Sequence, residues 1–150
     1  MGTETLHNRQ RAGFLRRLLS ATYDWLLVIA VMMVLSTPIV AALGDAIRPG
    51  NAYYRAGMLL IAFAFFSGFW SHGGQTLGMK AWRLKLRRRD GSAVSLQRAA
   101  LRFVCAAVSL LPAGLGFIWM LWDEDGLSWH DRWSDTIVEW AVKPETAPAA

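Results

Sequence analysis

The chain has 150 residues, 54% of them hydrophobic, and its 16 Lys and Arg against 11 Asp and Glu leave a formal net charge of +5. That length holds one domain, and a single cysteine, Cys105, excludes an internal disulfide or a cysteine-rich metal site. The charge is segregated into basic blocks between long apolar runs, a patterning that fits a membrane protein and speaks against nucleic-acid binding.

The first apolar span is predicted from about Ala21 to Leu43, with a core from Trp25 to Val40 that carries no charge. About 20 helical residues cross a hydrocarbon core. Pro38 is expected to bend or end the helix near its far side. The stretch is too long for a signal peptide, Asp24 interrupts its first part, and further spans follow. A short loop from Gly44 to Arg55 turns at Pro49-Gly50-Asn51. The second span, Phe-rich, is predicted from about Ala56 to Trp70 and closes at Ser71-His72-Gly73-Gly74.

The texture then changes to AWRLKLRRR, Ala81 to Arg89, in which Trp82, Leu84 and Leu86 alternate with Arg83, Lys85 and Arg87. A period of two predicts a strand. Asp90-Gly91 is a strong turn pair, and Ala93-Val94 offer the start of a return strand. The expectation is a short basic β-hairpin at the membrane surface, formed by Lys80, Arg83, Lys85, Arg87, Arg88 and Arg89, with its cations towards anionic lipid headgroups.

Ser95 is a predicted N-cap for the third apolar stretch, Ser95 to Trp122. Arg98 and Arg102 stand one turn apart near its start and are expected to snorkel to the interface. Leu111-Pro112-Ala113-Gly114-Leu115-Gly116 breaks the stretch, leaving either one kinked span or two short arms of a hairpin. Five tryptophans from Trp119 to Trp140 mark the tail as a segment at the headgroup level. The expected domain is 11–142, with flexible termini at 1–10 and 143–150.

Lys and Arg set the orientation. Arg9, Arg11, Arg16 and Arg17 precede the first span, and seven cations lie between the second and third. The loop between the first two spans has only Arg48 and Arg55. The positive-inside rule places the N-terminus and the basic loop in the cytoplasm of a bacterial-type inner membrane.

Asp24 is the most informative residue, because a carboxylate inside a membrane helix costs about 2.5 to 3.5 kcal/mol on insertion scales. Its two readings are a proton or cation site and a buried group that pairs helices. Arg17 precedes it by seven residues, nearly two turns, so both share a face about 10.5 Å apart along the axis. A third partner is expected between them. His130-Asp131-Arg132 alone is weak, and no serine stands in a nucleophile-elbow setting, so no enzyme activity is expected. His72 and His130 lack a ligand motif, so neither metal nor cofactor is expected. Gly74 and Gly78, four apart, suit close helix packing or a tight turn leading into the hairpin.

Three blocks resemble the RDD family of membrane proteins: AGFLRRLLSATYDWLL (Ala12 to Leu27), GQTLGMKAWRLKL (Gly74 to Leu86) and GLSWHDRWSDTIV (Gly126 to Val138). Trp129 and Met79 depart from the family's usual leucine and lysine. The resemblance implies that Arg17, with Arg16 as alternate, and Asp24 and Asp131 form the polar site, supported by His130, Arg132, Thr136 and Gln75. The elements taken together give an all-α membrane protein of three to four transmembrane or re-entrant helices, with a small basic β-hairpin at the cytoplasmic surface. The resemblance also suggests transport of ions or small solutes; the alternative is an accessory or assembly protein. Either a homo-oligomer or a larger membrane complex is expected. A straight third span leaves Asp131 roughly 30 Å from Arg17, across the bilayer. The hairpin is therefore favoured, with a cytoplasmic C-terminus and IVEWAV free to pair with the Trp82 to Leu86 strand.

Overall fold

A computed structural model of the chain describes residues 12–43 and 50–141. Arg9, Arg11, Arg48 and the expected flexible termini lie outside the described residues. Helix α1 runs over Phe14–Leu43 and α2 over Ala52–Ser71. Both are long and apolar enough to cross a membrane. Their outward faces carry bare apolar side chains, such as Leu26, Val34, Leu59 and Leu60. In water such surfaces are unfavourable, and against lipid they need no cover.

Both spans begin earlier than apolarity alone suggests. Asn51 caps α2 by accepting from the Tyr54 N–H at 3.1 Å. Helix α1 includes Arg16 and Arg17 and carries Pro38 inside it. At 30 residues it is about 45 Å long, well beyond a hydrocarbon core of about 30 Å. Its first turns therefore project, and the rest of the chain packs around them. Between the spans, Val28 meets Ala62 and Phe66 in a small core, with Phe103 alongside. Ser36 and Tyr54 join their hydroxyls at 2.7 Å.

After α2 the chain turns through Gly73 and Gly74, both at positive φ, into the short helix α3 (Leu77–Ala81) and strand β1 (Leu84–Arg88). The two-stranded antiparallel sheet pairs β1 with β2 (Thr136–Trp140), in the register Leu84 to Trp140 and Arg88 to Thr136. The return strand is thus the C-terminal segment and not Ala93-Val94. The Asp90-Gly91 turn does form, with the Gly91 N–H donating to the Arg88 carbonyl at 2.9 Å. Beyond it Val94 is drawn into the core with Leu84, Leu86, Ala99 and Val138. Ser95 then caps α4 (Leu96–Leu110), accepting from the Arg98 N–H.

The third apolar stretch breaks where expected. Ala113 and Gly114 take positive φ, and α4 meets α5 (Leu115–Ile118) and the following 3-10 turn (Trp119–Leu121) at 109°. The close is tight: a Cβ on Gly116 lies 2.7 Å from that of Ser109 and 2.8 Å from the Trp129 ring. Phe117 then stacks on His130 and packs against Phe14 in the first turn of α1. Helix α6 (Trp129–Trp133) follows, and β2 ends beside the start of α1, where the Ala12 N–H donates to the Val138 carbonyl at 3.2 Å. The chain therefore returns to the end of α1 from which it set out, as the hairpin reading requires.

Candidate functional site

Two buried charged groups, Arg17 and Asp24, stand on α1, two turns apart, and they have different partners. The lower one belongs to a cluster around Asp131, which is fully buried. Arg17 Nη1 donates to Asp131 Oδ2 at 2.6 Å, and Arg102 Nη1 to Asp131 Oδ1 at 2.6 Å. The Ser128 N–H adds a third donor at 3.2 Å, because Asp131 is the N3 residue of α6 and reaches back to the helix start. Two buried guanidiniums thus face one carboxylate. The surplus positive charge is spread over neutral acceptors. Arg17 also donates to the carbonyls of Ala12 (3.0 Å) and Val138 (3.1 Å). Arg102 also donates to the Thr136 hydroxyl at 2.5 Å and lies 5.2 Å from the Trp70 ring centroid.

Hydrogen positions around Thr136 follow from elimination. Ser134 Oγ donates to the His130 carbonyl at 2.5 Å. Its contact with Thr136 Oγ1 at 2.7 Å must then be accepted by Ser134, so Thr136 accepts from Arg102 and donates to Ser134. One directed chain links α4, β2 and α6.

Burial pushes the Asp131 carboxyl up, but the Arg102 and Arg17 charges outweigh it and hold it well below the usual carboxylate range. His130 is pushed down to about 3, by burial first and by the Arg102 charge second, against the pull of Asp131. It is neutral at physiological pH, with Nε2 at 2.9 Å from Ser128 Oγ.

The upper group is Asp24. Its carboxylate accepts from Thr76 Oγ1 at 2.5 Å on one oxygen and from the Gly78 N–H at 2.8 Å on the other. Thr76 is the N-cap of α3 and accepts in turn from the Met79 N–H at 3.1 Å, so its proton is committed to Asp24. Gly78 permits this approach, since a Cβ there lies 2.3 Å from the Ser20 carbonyl oxygen and 2.8 Å from the Asp24 carboxylate. No basic side chain among the described residues forms an ion pair with Asp24. Its level follows from the neighbouring span: Trp25 packs on Phe66, five residues before the end of α2. Asp24 therefore lies roughly one turn inside that end.

Of the expected triad, Arg17 and Asp131 meet directly, and Asp24 stands apart with Thr76 and Gly78 as its partners. Thr136 and His130 belong to the Asp131 cluster. Gln75 holds the start of β1 through the Leu84 carbonyl at 2.6 Å. Arg132 is exposed and pairs with Asp123, and Arg16 lies over the Trp140 ring at 4.0 Å. Arg102 does not snorkel: it is 5% exposed and serves Asp131. Thr76 is the other residue that sequence reasoning leaves unassigned, while Gly78, read there as a packing or turn glycine, lies against Ser20 and Asp24 of α1. In the basic segment, Lys80, Arg83 and Arg89 are exposed. Arg87 pairs with Glu139 at 2.8 Å, and Arg88 with Asp90 at 3.0 Å and Asp135 at 3.6 Å. Among the described residues no group of three or more His, Cys, Asp or Glu is placed to hold a metal ion.

The family model described as the RDD family matches residues 11–135. No curated protein and no solved structure matches the chain.

Proposed function

The chain belongs to the RDD family, and from that premise we propose that it carries protons or small cations across a bacterial inner membrane, working as an oligomer. The observation that supports this is Asp24: a buried carboxylate in a membrane helix, held by two hydrogen-bond donors and by no cation among the described residues. Ionisable groups at such positions mark ion and proton pathways by default. In this reading Asp24 takes up and releases the ion near the cytoplasmic boundary. Arg17, Asp131 and Arg102 form a fixed frame that holds the tail to the first helix. Two spans and a helical hairpin enclose little space, so the pathway runs between subunits. The N-terminus, the basic strand and the tail face the cytoplasm, with the strand's cations at anionic headgroups, and no covalent chemistry is catalysed.

A second reading, an accessory or assembly protein, is favoured by the Asp131 cluster, whose pairing is closed and leaves the carboxylate no access to a ligand. Proteoliposome flux separates the two. Asp24→Asn keeps an acceptor for the Gly78 N–H and is expected to insert at wild-type levels while losing proton or cation flux. Unchanged flux in that variant removes the transport reading. Co-purification with a larger complex, without flux in the wild type, supports the second.

A further inference from the structure

Strand β1 has a second face. Leu84 and Leu86 turn into the core, so Lys85 and Arg87 point the other way. A cavity of about 100 Å³ opens along the edge of β1, between Trp70 and Ser71 at the end of α2, the turn at Gly73 and Gly74, and Ala93 and Val94, and the core-facing Leu86 lines it as well. Two cations line it. Arg87 is partly neutralised by Glu139 at 2.8 Å and donates to the Gly91 carbonyl at 3.0 Å. Lys85 forms no ion pair among the described residues. Lys85 stands opposite Glu139 in the sheet register, so both cations face that one carboxylate, which leaves a net positive charge at the cleft. The Trp70 ring supplies an apolar wall, and the Gly73 backbone is open, with nothing within 4 Å of a Cβ placed there. It lies at the end of α2, a helix long and apolar enough to cross a membrane, where lipid headgroups would meet it.

We infer that this cleft binds a phosphate group, held by Lys85 and Arg87 beneath Trp70. The phosphodiester of an anionic phospholipid and free inorganic phosphate share that chemistry. The apolar wall and the position at the end of α2 suit the lipid. The inference rests on the placement of the basic strand at the headgroups proposed above, but not on transport, because it uses neither Asp24 nor Asp131.

The test uses the full chain in a neutral detergent, titrated with short-chain phosphatidylglycerol, short-chain phosphatidylcholine or inorganic phosphate, and reads Trp fluorescence and native mass. Saturable binding of phosphatidylglycerol is expected, weakened at least about tenfold by Lys85→Gln and less than about twofold by Arg89→Gln, an equal charge loss outside the cleft. Ala93→Leu fills the cleft without changing charge and is expected to abolish binding. Inorganic phosphate that binds and is lost in Lys85→Gln, with no response to phosphatidylglycerol, supports the same site with the free ion as its source. Equal losses in Lys85→Gln and Arg89→Gln, full binding in Ala93→Leu, or phosphatidylcholine binding as tightly as phosphatidylglycerol overturns the assignment.

Discussion

Arg17 Nη1 lies 2.6 Å from Asp131 Oδ2, a contact between residues 114 positions apart in the chain. Arg17 stands in the projecting part of α1, and Asp131 opens the short helix before the last strand. Because the same guanidinium also holds the Val138 carbonyl, one side chain ties α6 and β2 to the first span. Asp131 in turn recruits Arg102 from α4. The cluster fixes where the tail docks, which leaves Asp24, two turns higher, as the polar group without a counter-charge among the described residues.

The stability of this cluster depends on acid in a defined window. His130 has a folded pKa of about 3 against an ordinary value of 6.5, so between those values the unfolded chain binds the extra proton. Its contribution is full above about pH 6.5 and is lost as the pH falls towards 3, at a limiting slope of about 1.4 kcal/mol per unit. Asp131, depressed below its ordinary 3.8, adds a further loss below that value. Unfolding midpoints of the detergent-purified protein from pH 8 to 4 are expected to decline below 6.5. His130→Gln is expected to flatten that decline. An equally steep fall in the variant means that another group carries it.

Gly78→Ala tests the contact that brings α3 to Asp24. The new methyl meets the backbone oxygen of Ser20 at 2.3 Å, and a backbone atom cannot rotate away. Relief requires α3 to shift, which lengthens both the Gly78 and the Thr76 hydrogen bonds to Asp24. A loss of about 1 to 3 kcal/mol is expected, as for overpacked cores. Gly57→Ala, in open space on α2, serves as the control. Equal unfolding midpoints for the two variants count against the packing described.

Much of this arrangement is legible in the sequence, and the rest is missed for physical reasons. Arg17 and Asp131 come from the family resemblance, and the break at Leu111 to Gly116 from its proline and glycines. Strand β1 is plain from its period of two, and the sequence offers it two partners, Ala93-Val94 and the distant IVEWAV, of which the second forms. A local turn at Asp90-Gly91 and a distant strand both satisfy the pattern, and what decides is the burial of Val94 and Val138 against Leu84 and Leu86. Arg102 reads as a snorkelling side chain when only its neighbour Arg98 is considered. The overlooked signal is the face it shares: Ala99, Arg102, Cys105 and Ser109 recur at helical spacing and are all buried, while Leu101, Val104 and Val108 point outward. In a helix facing lipid, the small and polar stripe is the one that packs. Gly78 is marked by its spacing from Gly74 as a packing or turn glycine, but neither it nor Thr76 points to Asp24, because that contact spans more than 50 positions.

The side of the tail can be checked without reference to function. Since β2 bonds to Ala12 and Arg17 at the start of α1, reporters attached before Met1 and after Ala150 are expected to share one compartment. Paired fusions suffice, one reporter active only in cytoplasm and the other only in periplasm. Opposite compartments contradict the sheet, since β2 then has no route back to β1.

The last prediction concerns charge reversal at Arg17 and Asp131. Asp131→Asn alone leaves two buried guanidiniums without their anion, and a loss of about 3 to 5 kcal/mol is expected for a broken buried pair. If the two residues formed an isolated pair, Arg17→Asp combined with Asp131→Arg would restore most of that. The surroundings of each argue otherwise. An aspartate at position 17 faces the carbonyl oxygens of Ala12 and Val138, which now accept from Arg17 and would repel a carboxylate. An arginine at position 131 faces Arg102, with no anion between them, and it cannot accept from the Ser128 N–H. The double variant is therefore expected to be no more stable than Asp131→Asn, measured by unfolding in detergent and by membrane protein levels. Rescue by the swap would mean that the pair acts alone, and that Arg102 and the two carbonyls contribute little to holding the tail in place.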